Sequence, residues 1–237
     1  MTFRPIQKIK NVKQKFFLQA KELEWAHVYH DSIRGISWLE NLPLNVGRWA
    51  CGYPLLYVLH RILSDYRPSS IIEFGLGESS KFISTYLEQE LTNSTHVIVE
   101  QSTEWREAFK ARFKLSDRTE ILICESAQEK VNGHLSNRYT GLAGHTVKKH
   151  DLYLIDGPIG TPRYSRYDMV QCIKNFEQGD EFIMIVDDFE RAGEKESVKD
   201  LLALLNQKGI KVHQGVYPGS SVALVIATEK YRYATSL

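Results

Sequence analysis

The sequence has few cysteines, almost no net charge and no long apolar run. Its 237 residues include three widely spaced cysteines, Cys51, Cys124 and Cys172, a pattern that predicts neither a disulfide framework nor a metal-binding motif. A reducing compartment, the cytoplasm, therefore fits best. The formal net charge of +1 excludes binding to polyanions through bulk charge. No apolar run approaches the roughly 18 residues of a membrane span, so we expect no transmembrane segment.

The N-terminal stretch is basic, with no acidic residue before Glu22. No apolar signal core follows it, so the sequence predicts no secretory leader. Two interpretations stay open: a solvated helix, or a surface that contacts anionic lipid weakly with the help of Phe16 and Phe17. The basic residues are Arg4, Lys8, Lys10, Lys13, Lys15 and Lys21.

Residues 1–69 are predicted to form a helical extension that packs on a main domain of residues 70–237. Apolar residues recur at helical spacing over 13–29 and 53–66. Pro43 interrupts the pattern between these two segments, because proline disfavours helix in the residue before it. No linker separates the second helix from the first strand of the main domain, so we expect the extension to pack against it.

From residue 71 onward, short apolar runs alternate with amphipathic segments, and this indicates a doubly wound, Rossmann-like α/β sheet with right-handed crossovers. The runs 210–217 and 222–227 are joined by only Pro218-Gly219-Ser220-Ser221, so we expect a hairpin and an antiparallel last strand in a sheet of seven. The stretch 127–149 lacks a clear period and is predicted to be irregular. The five other strands are expected at 71–75, 96–101, 119–124, 151–156 and 182–187, with helices at 79–91, 103–114, 165–177 and 194–208.

A glycine turn follows the first of these strands, in Glu73-Phe74-Gly75-Leu76-Gly77-Glu78-Ser79-Ser80. Gly75 and Gly77 allow a sharp turn and close approach of a ligand, since neither carries a Cβ. Ser79 or Ser80 could cap the next helix, whose free N–H groups would face the turn. Ser80 stands where a dinucleotide fingerprint has its third glycine, so the turn alone fits either a ligand loop or a plain connection.

Acidic residues stand at four neighbouring strand ends of the predicted sheet. Because ligands of a doubly wound sheet bind outside the carboxyl ends of the strands, this set predicts a ligand site. Glu100 ends the second strand, where its carboxylate could accept hydrogen bonds from two ribose hydroxyls. The other strand ends carry Glu125-Ser126-Ala127, Asp156-Gly157-Pro158 and Asp187-Asp188.

These motifs resemble those of the class I S-adenosylmethionine-dependent methyltransferases, over roughly residues 70 to 230. The resemblance includes the terminal hairpin and implies that Glu100 binds the ribose of S-adenosylmethionine. It also implies that Ser126 and Ala127 meet the adenine, although Ser126 stands where the family usually has an acid. The implied cofactor contacts are Glu73, Gly75, Gly77, Ser79, Ser80, Glu100, Ser126, Ala127 and Asp156.

Two finer motifs resemble a subgroup of these enzymes. Ile155-Asp156-Gly157 and Val186-Asp187-Asp188 are similar to the divalent-metal-dependent O-methyltransferases, which implies that Asp156, Asp187 and Asp188 hold Mg²⁺ or another divalent ion. Asp156-Gly157-Pro158 with Arg163 downstream resembles enzymes that O-methylate glucuronic acid in xylan. The lead-in at 38–44 resembles methyltransferase-like proteins of bacterial surface-glycan clusters. The implied acceptor is a sugar, a glycan or another hydroxyl compound, in polysaccharide biosynthesis.

Methylation of a hydroxyl needs a base or a metal, because a neutral hydroxyl is a poor nucleophile. Asp156 is the first candidate base, and His134 or His145 are others because the irregular stretch could cover the site. Arg163 and Arg166 could grip a carboxylate or phosphate of the acceptor. The plainer alternatives are that Asp187 or Asp188 caps the next helix and that the arginines are solvated charges.

Three functions from different classes remain open at this point. The leading one is an S-adenosylmethionine-dependent O-methyltransferase, and a second is a catalytically silent binding module in glycan biosynthesis. A nicotinamide-dependent oxidoreductase is disfavoured by the antiparallel ending and the absence of a second domain. No nucleic-acid partner is expected, since no Asn/Asp-Pro-Pro-aromatic motif is present and the basic charge is confined to the N-terminus. A homodimer is compatible with the sequence.

Overall fold

The computed structural model describes residues 4–47, 50–142 and 148–237, and the side chains from residue 16 onward. His145, one of the two candidate histidine bases, lies outside the described residues. The helices are α1 (Arg4–Ser32), α2 (Ser37–Glu40), α3 (Tyr53–Tyr66), α4 (Glu78–Gln89), α5 (Thr103–Lys110), α6 (Asp168–Cys172), α7 (Ala192–Gln207) and a C-terminal 3₁₀ helix (Glu229–Thr235). The strands are β1 (Ser70–Phe74), β2 (Thr95–Glu100), β3 (Thr119–Ile123), β4 (Ser126–Val131), β5 (His134–Tyr139), β6 (Leu152–Ile155), β7 (Ile183–Val186), β8 (Val212–Pro218) and β9 (Val222–Thr228).

Seven strands form one mixed sheet in the order β3-β2-β1-β6-β7-β9-β8. Strand β1 pairs in parallel with β2 on one side and with β6 on the other, so the strand order reverses there. Strand β9 is antiparallel to both of its neighbours, β7 and β8. The predicted doubly wound sheet of seven strands with an antiparallel last strand is confirmed. The reversal at β1 and β6 opens a crevice at the carboxyl ends of these strands.

The central strands are apolar because helices cover both faces of the sheet. Alternate residues of each strand point to opposite faces, so Leu152 and Leu154 of β6 join the core beneath α1, α3 and α4. Tyr153 and Ile155 of the same strand join the core beneath α6 and α7. Among the residues described, no helix combines the length and the apolar character that crossing a membrane requires.

Helix α1 is tied to the rest of the chain by polar contacts near its middle. The Glu22 carboxylate accepts hydrogen bonds from the backbone N–H of Tyr53 (2.7 Å) and of Ser220 (2.8 Å). The Trp25 indole N–H donates to the carbonyl of Pro218 at 3.0 Å. The N-terminal helices therefore share a core with the sheet, while the division at residue 69 stays a prediction.

The prediction of irregular structure over 127–149 was wrong for its first part. Strands β4 and β5 pair there as an antiparallel two-stranded sheet outside the main one. Asn132 and Gly133 join them with φ of 50° and 83°, values that the Asn-Gly pair adopts readily in a tight hairpin turn. Most side chains of β4 are exposed, so the strand lacks the apolar alternation that would have revealed it. Helix α6 is also shorter than the predicted 165–177.

Candidate active site

A cleft of about 950 Å³ lies at the carboxyl ends of β1, β2, β6 and β7. It is formed where the strand order reverses, which is where ligands of doubly wound sheets bind. The sequence-predicted residues on its wall come from separate strand ends, and the fold brings them together. They are Gly75, Gly77, Ser79, Glu100, Asp156 and the pair Asp187 and Asp188.

The two glycines of the turn between β1 and α4 stand in different surroundings. Gly75 has φ of +102°, and a Cβ there would lie 3.3 Å from the backbone carbonyl carbon and oxygen of Asp156. A Cβ on Gly77 would meet no atom of the described residues within 4 Å, because this residue faces the open cleft. Gly77, rather than Ser79 or Ser80, is the N-cap of α4, and its N–H donates to Ser80 Oγ at 3.0 Å.

Two of the predicted cofactor contacts lie beneath the turn instead of on the cleft wall. Glu73 and Ser80 are fully buried. Glu73 Oε1 accepts a hydrogen bond from the Ser79 hydroxyl, and its Oε2 lies 3.0 Å from Nε2 of the buried His96. Glu73 and Ser80 thus support the turn from inside the protein.

Glu100 ends β2 beside the glycine turn, and backbone groups fix its carboxylate. One oxygen accepts from the N–H of Leu76 at 3.0 Å. The other accepts from the N–H groups of Gln101 and Ser102, both at 2.8 Å. A carboxylate offers about four acceptor sites, so capacity remains for a hydroxyl donor in the cleft.

Trp105 of α5 forms part of the same wall, and the sequence had not identified it as a site residue. Its indole N–H donates to the carbonyl of Leu76 at 2.7 Å, which attaches α5 to the glycine turn. The ring stays 41% exposed, and the Arg112 guanidinium lies 5.2 Å from the ring centroid. The signal that could have identified Trp105 is its position in the first turn of α5, three residues after Ser102, which caps this helix just beyond the end of β2. Side chains of a helix lean toward its N-terminus, so a ring in the first turn is directed back toward the strand end and the cleft.

Asp156, Asp187 and Asp188 form an acidic cluster in which one oxygen of each lies within 4.8 Å of the others. Burial raises the pKa of Asp156 to about 8, an effect that Arg166 opposes and Asp187 adds to. The carboxyl is largely enclosed by protein, although 30% of the side chain faces the cleft. Burial, with the neighbouring Asp188, also raises the pKa of Asp187, whose Oδ1 accepts a hydrogen bond from Ser221 Oγ at 2.7 Å.

Arg166 is buried inside this acidic cluster, with only 5% of its side chain exposed. Its Nη2 lies 2.9 Å from Asp156 Oδ1 and donates to Asp188 Oδ2 at 2.7 Å. Its Nη1 donates to the backbone carbonyl of Asp187 at 2.8 Å. The guanidinium is therefore engaged by the protein's own groups, and we correct the expectation that it grips an acceptor.

Four other predicted site residues do not line the cleft that the described residues form. Ser126 and Ala127 are exposed in β4, and His134 begins β5, so all three belong to the two-stranded sheet outside the main one. The ring centroid of His134 lies 5.8 Å from that of Tyr164. Arg163 is 46% exposed, and its guanidinium pairs with Glu196 at 2.5 Å.

Comparisons with known proteins bear on the fold. No protein-family model matches the sequence. No curated protein matches it either. A solved structure of an O-methyltransferase from Bacillus cereus in complex with S-adenosylhomocysteine superimposes with a TM-score of 0.50 and 14% identity, over 89% of this chain and 91% of that one. A candidate O-methyltransferase from Klebsiella pneumoniae gives a TM-score of 0.53 and 12% identity, over 87% and 98% of the two chains. At this identity the likeness concerns the fold alone: the chain has the Rossmann-like fold of these methyltransferase structures.

Proposed function

We propose that this chain is an S-adenosylmethionine-dependent methyltransferase that methylates a hydroxyl oxygen of its acceptor. The observation that carries the proposal is the position of Glu100, which stands on the cleft wall beside the glycine turn with its carboxylate held by three backbone N–H groups. The shared fold with two O-methyltransferase structures, one of them in complex with S-adenosylhomocysteine, supports it.

The residues on the cleft wall fit the parts of this cofactor. Glu100 can accept a hydrogen bond from a ribose hydroxyl. Trp105 and Phe109 supply an apolar surface for a purine base next to Glu100. Gly77 leaves room for the cofactor chain, since no side chain projects there.

The bound cofactor supplies an electrophilic methyl group, so the protein has to position an acceptor oxygen and remove its proton. Asp156 is the candidate base, because its raised pKa of about 8 matches the range in which proton acceptors work best near neutral pH. Arg166 orients the Asp156 carboxyl through the contact at Oδ1. Asp187 is fixed by Ser221 at the back of the cluster.

A divalent ion between Asp156, Asp187 and Asp188 stays a prediction. The three side chains are close enough to share an ion, and carboxylate oxygens are the ligands that Mg²⁺ prefers. The donor set as it stands does not fit one, because Arg166 and Arg191 each lie 2.7 Å from a different oxygen of Asp188. The proposed mechanism therefore uses no metal.

The acceptor is proposed to be a sugar, a glycan or another hydroxyl compound, on the strength of the sequence resemblance alone. The test is to incubate the protein with S-adenosylmethionine labelled in the methyl group and a panel of hydroxyl compounds that includes uronic acids and neutral sugars. Transfer of label to an acceptor oxygen is the expected result. Cofactor binding without transfer to any member of a broad panel would favour the silent binding module instead.

Contact of the N-terminus with an anionic membrane surface is a separate proposal. Phe16 and Phe17 on α1 are 73% and 52% exposed, and the preceding sequence is basic. An amphipathic helix with exposed aromatic rings and basic residues can lie at such a surface. Co-sedimentation with anionic vesicles, compared with neutral ones, tests it; equal recovery with both would contradict it. A homodimer and a cytoplasmic location likewise stay predictions.

A further inference from the structure

Arg166 lies inside the acidic cluster, where the sequence predicts a metal ion. Four carboxyl groups act on the guanidinium: those of Asp156, Asp187, Asp188 and Glu194. Glu194 is fully buried, and its Oε1 lies 3.9 Å from Arg166 Nε. A metal ion at this place would bind the same carboxylates, so the positive charge of the guanidinium already lies where the charge of the ion would be.

Arginine side chains contact both oxygens of Asp188 and one oxygen of Asp156. Asp188 Oδ2 accepts from Arg166, and Asp188 Oδ1 pairs with Arg191, each at 2.7 Å. Asp156 Oδ1 lies 2.9 Å from Arg166. Mg²⁺ demands near-ideal octahedral geometry at about 2.0–2.1 Å from its oxygens, and an ion bound to these atoms would lie close to the charge of the guanidinium, so the two cations compete for the cluster.

The loop around Arg166 holds the guanidinium in this place. Arg166 has φ of 53°, in the left-handed region that residues other than glycine adopt only when their surroundings require it. The preceding Ser165 is fully buried. Its N–H donates to the carbonyl of Gly193 at 3.1 Å, and its carbonyl accepts a hydrogen bond from Ser197 Oγ at 2.6 Å. A Cβ on Gly193 would lie 2.5 Å from the carbonyl oxygen of Thr161, so α7 packs directly on this loop.

We infer that Arg166 takes the place of the divalent ion: its guanidinium supplies the positive charge among Asp156, Asp187 and Asp188, and the site operates without a metal. Arg166 is then a positioning residue that acts through the carboxyl of Asp156. The consequence for methyl transfer rests on the proposed function, but the occupation of the cluster by Arg166 does not, and it can be measured without any acceptor.

The first measurement is a titration of the metal-stripped wild-type protein with Mn²⁺. Binding is detected by electron paramagnetic resonance, which reports free Mn²⁺, and by the shift of the melting temperature. We expect no saturable site below about 1 mM and a melting temperature that moves by less than about 1 °C, since a ligand stabilises only when it exceeds its Kd. Saturable binding of one Mn²⁺ that disappears in Asp187→Asn would overturn the inference.

The second measurement removes the guanidinium. In Arg166→Met we expect the freed carboxylates to bind Mn²⁺, so that 1 mM Mn²⁺ raises the melting temperature by about 5–11 °C, the range expected at roughly 100 times Kd in a chain of this length. Adding Asp187→Asn should abolish that gain. A folded Arg166→Met protein that takes up no Mn²⁺ would contradict the idea that guanidinium and metal compete for the same oxygens.

Arg138→Met is the matched control for lost stability. Arg138 is also buried, and its Nε donates to the buried Asp168 at 2.8 Å, outside the acidic cluster. We expect this variant to lose stability without any recovery in Mn²⁺. If Arg166→Met does not fold, the wild-type titration alone decides, because tight Mn²⁺ binding refutes the inference and its absence supports it. Titration with S-adenosylhomocysteine on the same wild-type sample separates a failure of the proposed function from a failure of this inference.

Discussion

Replacing Glu100 by glutamine removes one negative charge from the cleft wall and keeps the size of the side chain. The carboxylate accepts three backbone N–H groups, from Leu76, Gln101 and Ser102. A glutamine amide has one oxygen with two acceptor sites, so it can serve at most two of these donors. The variant loses both a charged partner for the ribose and part of the support for the glycine turn.

Both losses can be given a size. A hydrogen bond to a charged group contributes about 1.5–3 kcal/mol, which is about 10- to 150-fold in affinity for S-adenosylhomocysteine. One backbone N–H left without an acceptor costs about 1–3 kcal/mol of folding free energy. For a chain of this length the melting temperature would fall by about 2–4 °C for each kcal/mol.

Calorimetric titration with S-adenosylhomocysteine measures the first effect, at a temperature well below the unfolding transition of the variant. Glu104→Gln is the matched control, because Glu104 is an exposed acid on α5, close in sequence to Glu100. We expect the control to bind like the wild type. If folded Glu100→Gln binds within about threefold of the wild type, Glu100 is not the ribose ligand and the reasoning from strand ends fails.

Three further predictions concern the site and its supports. Asp156 can act as a base only in its deprotonated form, which predominates above its pKa of about 8. We therefore expect kcat/KM to rise about tenfold per pH unit below pH 8 and to level off above it. A flat profile between pH 6 and 9 would exclude this residue as the base. Gly157→Ala should lower the free energy of unfolding, measured in urea, by about 2–3 kcal/mol, because its Cβ would lie 3.0 Å from the backbone nitrogen of Gly75. By contrast, Gly77→Ala should fold normally and bind S-adenosylhomocysteine more weakly. Glu22→Ala should lower the free energy of unfolding by about 2–3 kcal/mol, because three hydrogen bonds to Tyr53 and Ser220 are lost. The control Glu24→Ala, on the exposed face of α1, should lower it by less than about 0.5 kcal/mol. Equal stabilities of the two variants would show that α1 is held by its apolar contacts alone.

The sequence predicts the sheet well because its central strands are buried on both faces. Strands such as β6 and β7 must therefore be apolar along their whole length. Short apolar runs that alternate with helices are compatible with few topologies other than a doubly wound sheet. The position of Glu100 and Asp156 at strand ends follows from the same topology, since parallel strands end at one edge. The order of apolar runs and helices is therefore enough to assign both residues to the cleft.

The sequence could not predict features that depend on contacts between distant segments. Strand β4 is polar and exposed, so its pairing with β5 leaves only the Asn132-Gly133 turn as a signal. Arg166 resembles a solvated charge in the sequence because the groups that bury it, among them Asp188 and Glu194, come from a strand end and a helix about 20 to 30 residues further on. The hairpin also explains why Ser126 does not line the cleft, since Ser126 is an exposed residue of the separate two-stranded sheet.

Binding of S-adenosylmethionine in the cleft is tested by calorimetric titration of the wild-type protein with S-adenosylhomocysteine and, separately, with NADH. We expect saturable binding of one S-adenosylhomocysteine per chain and no binding of NADH. Binding of NADH without binding of S-adenosylhomocysteine would contradict this expectation and favour the oxidoreductase.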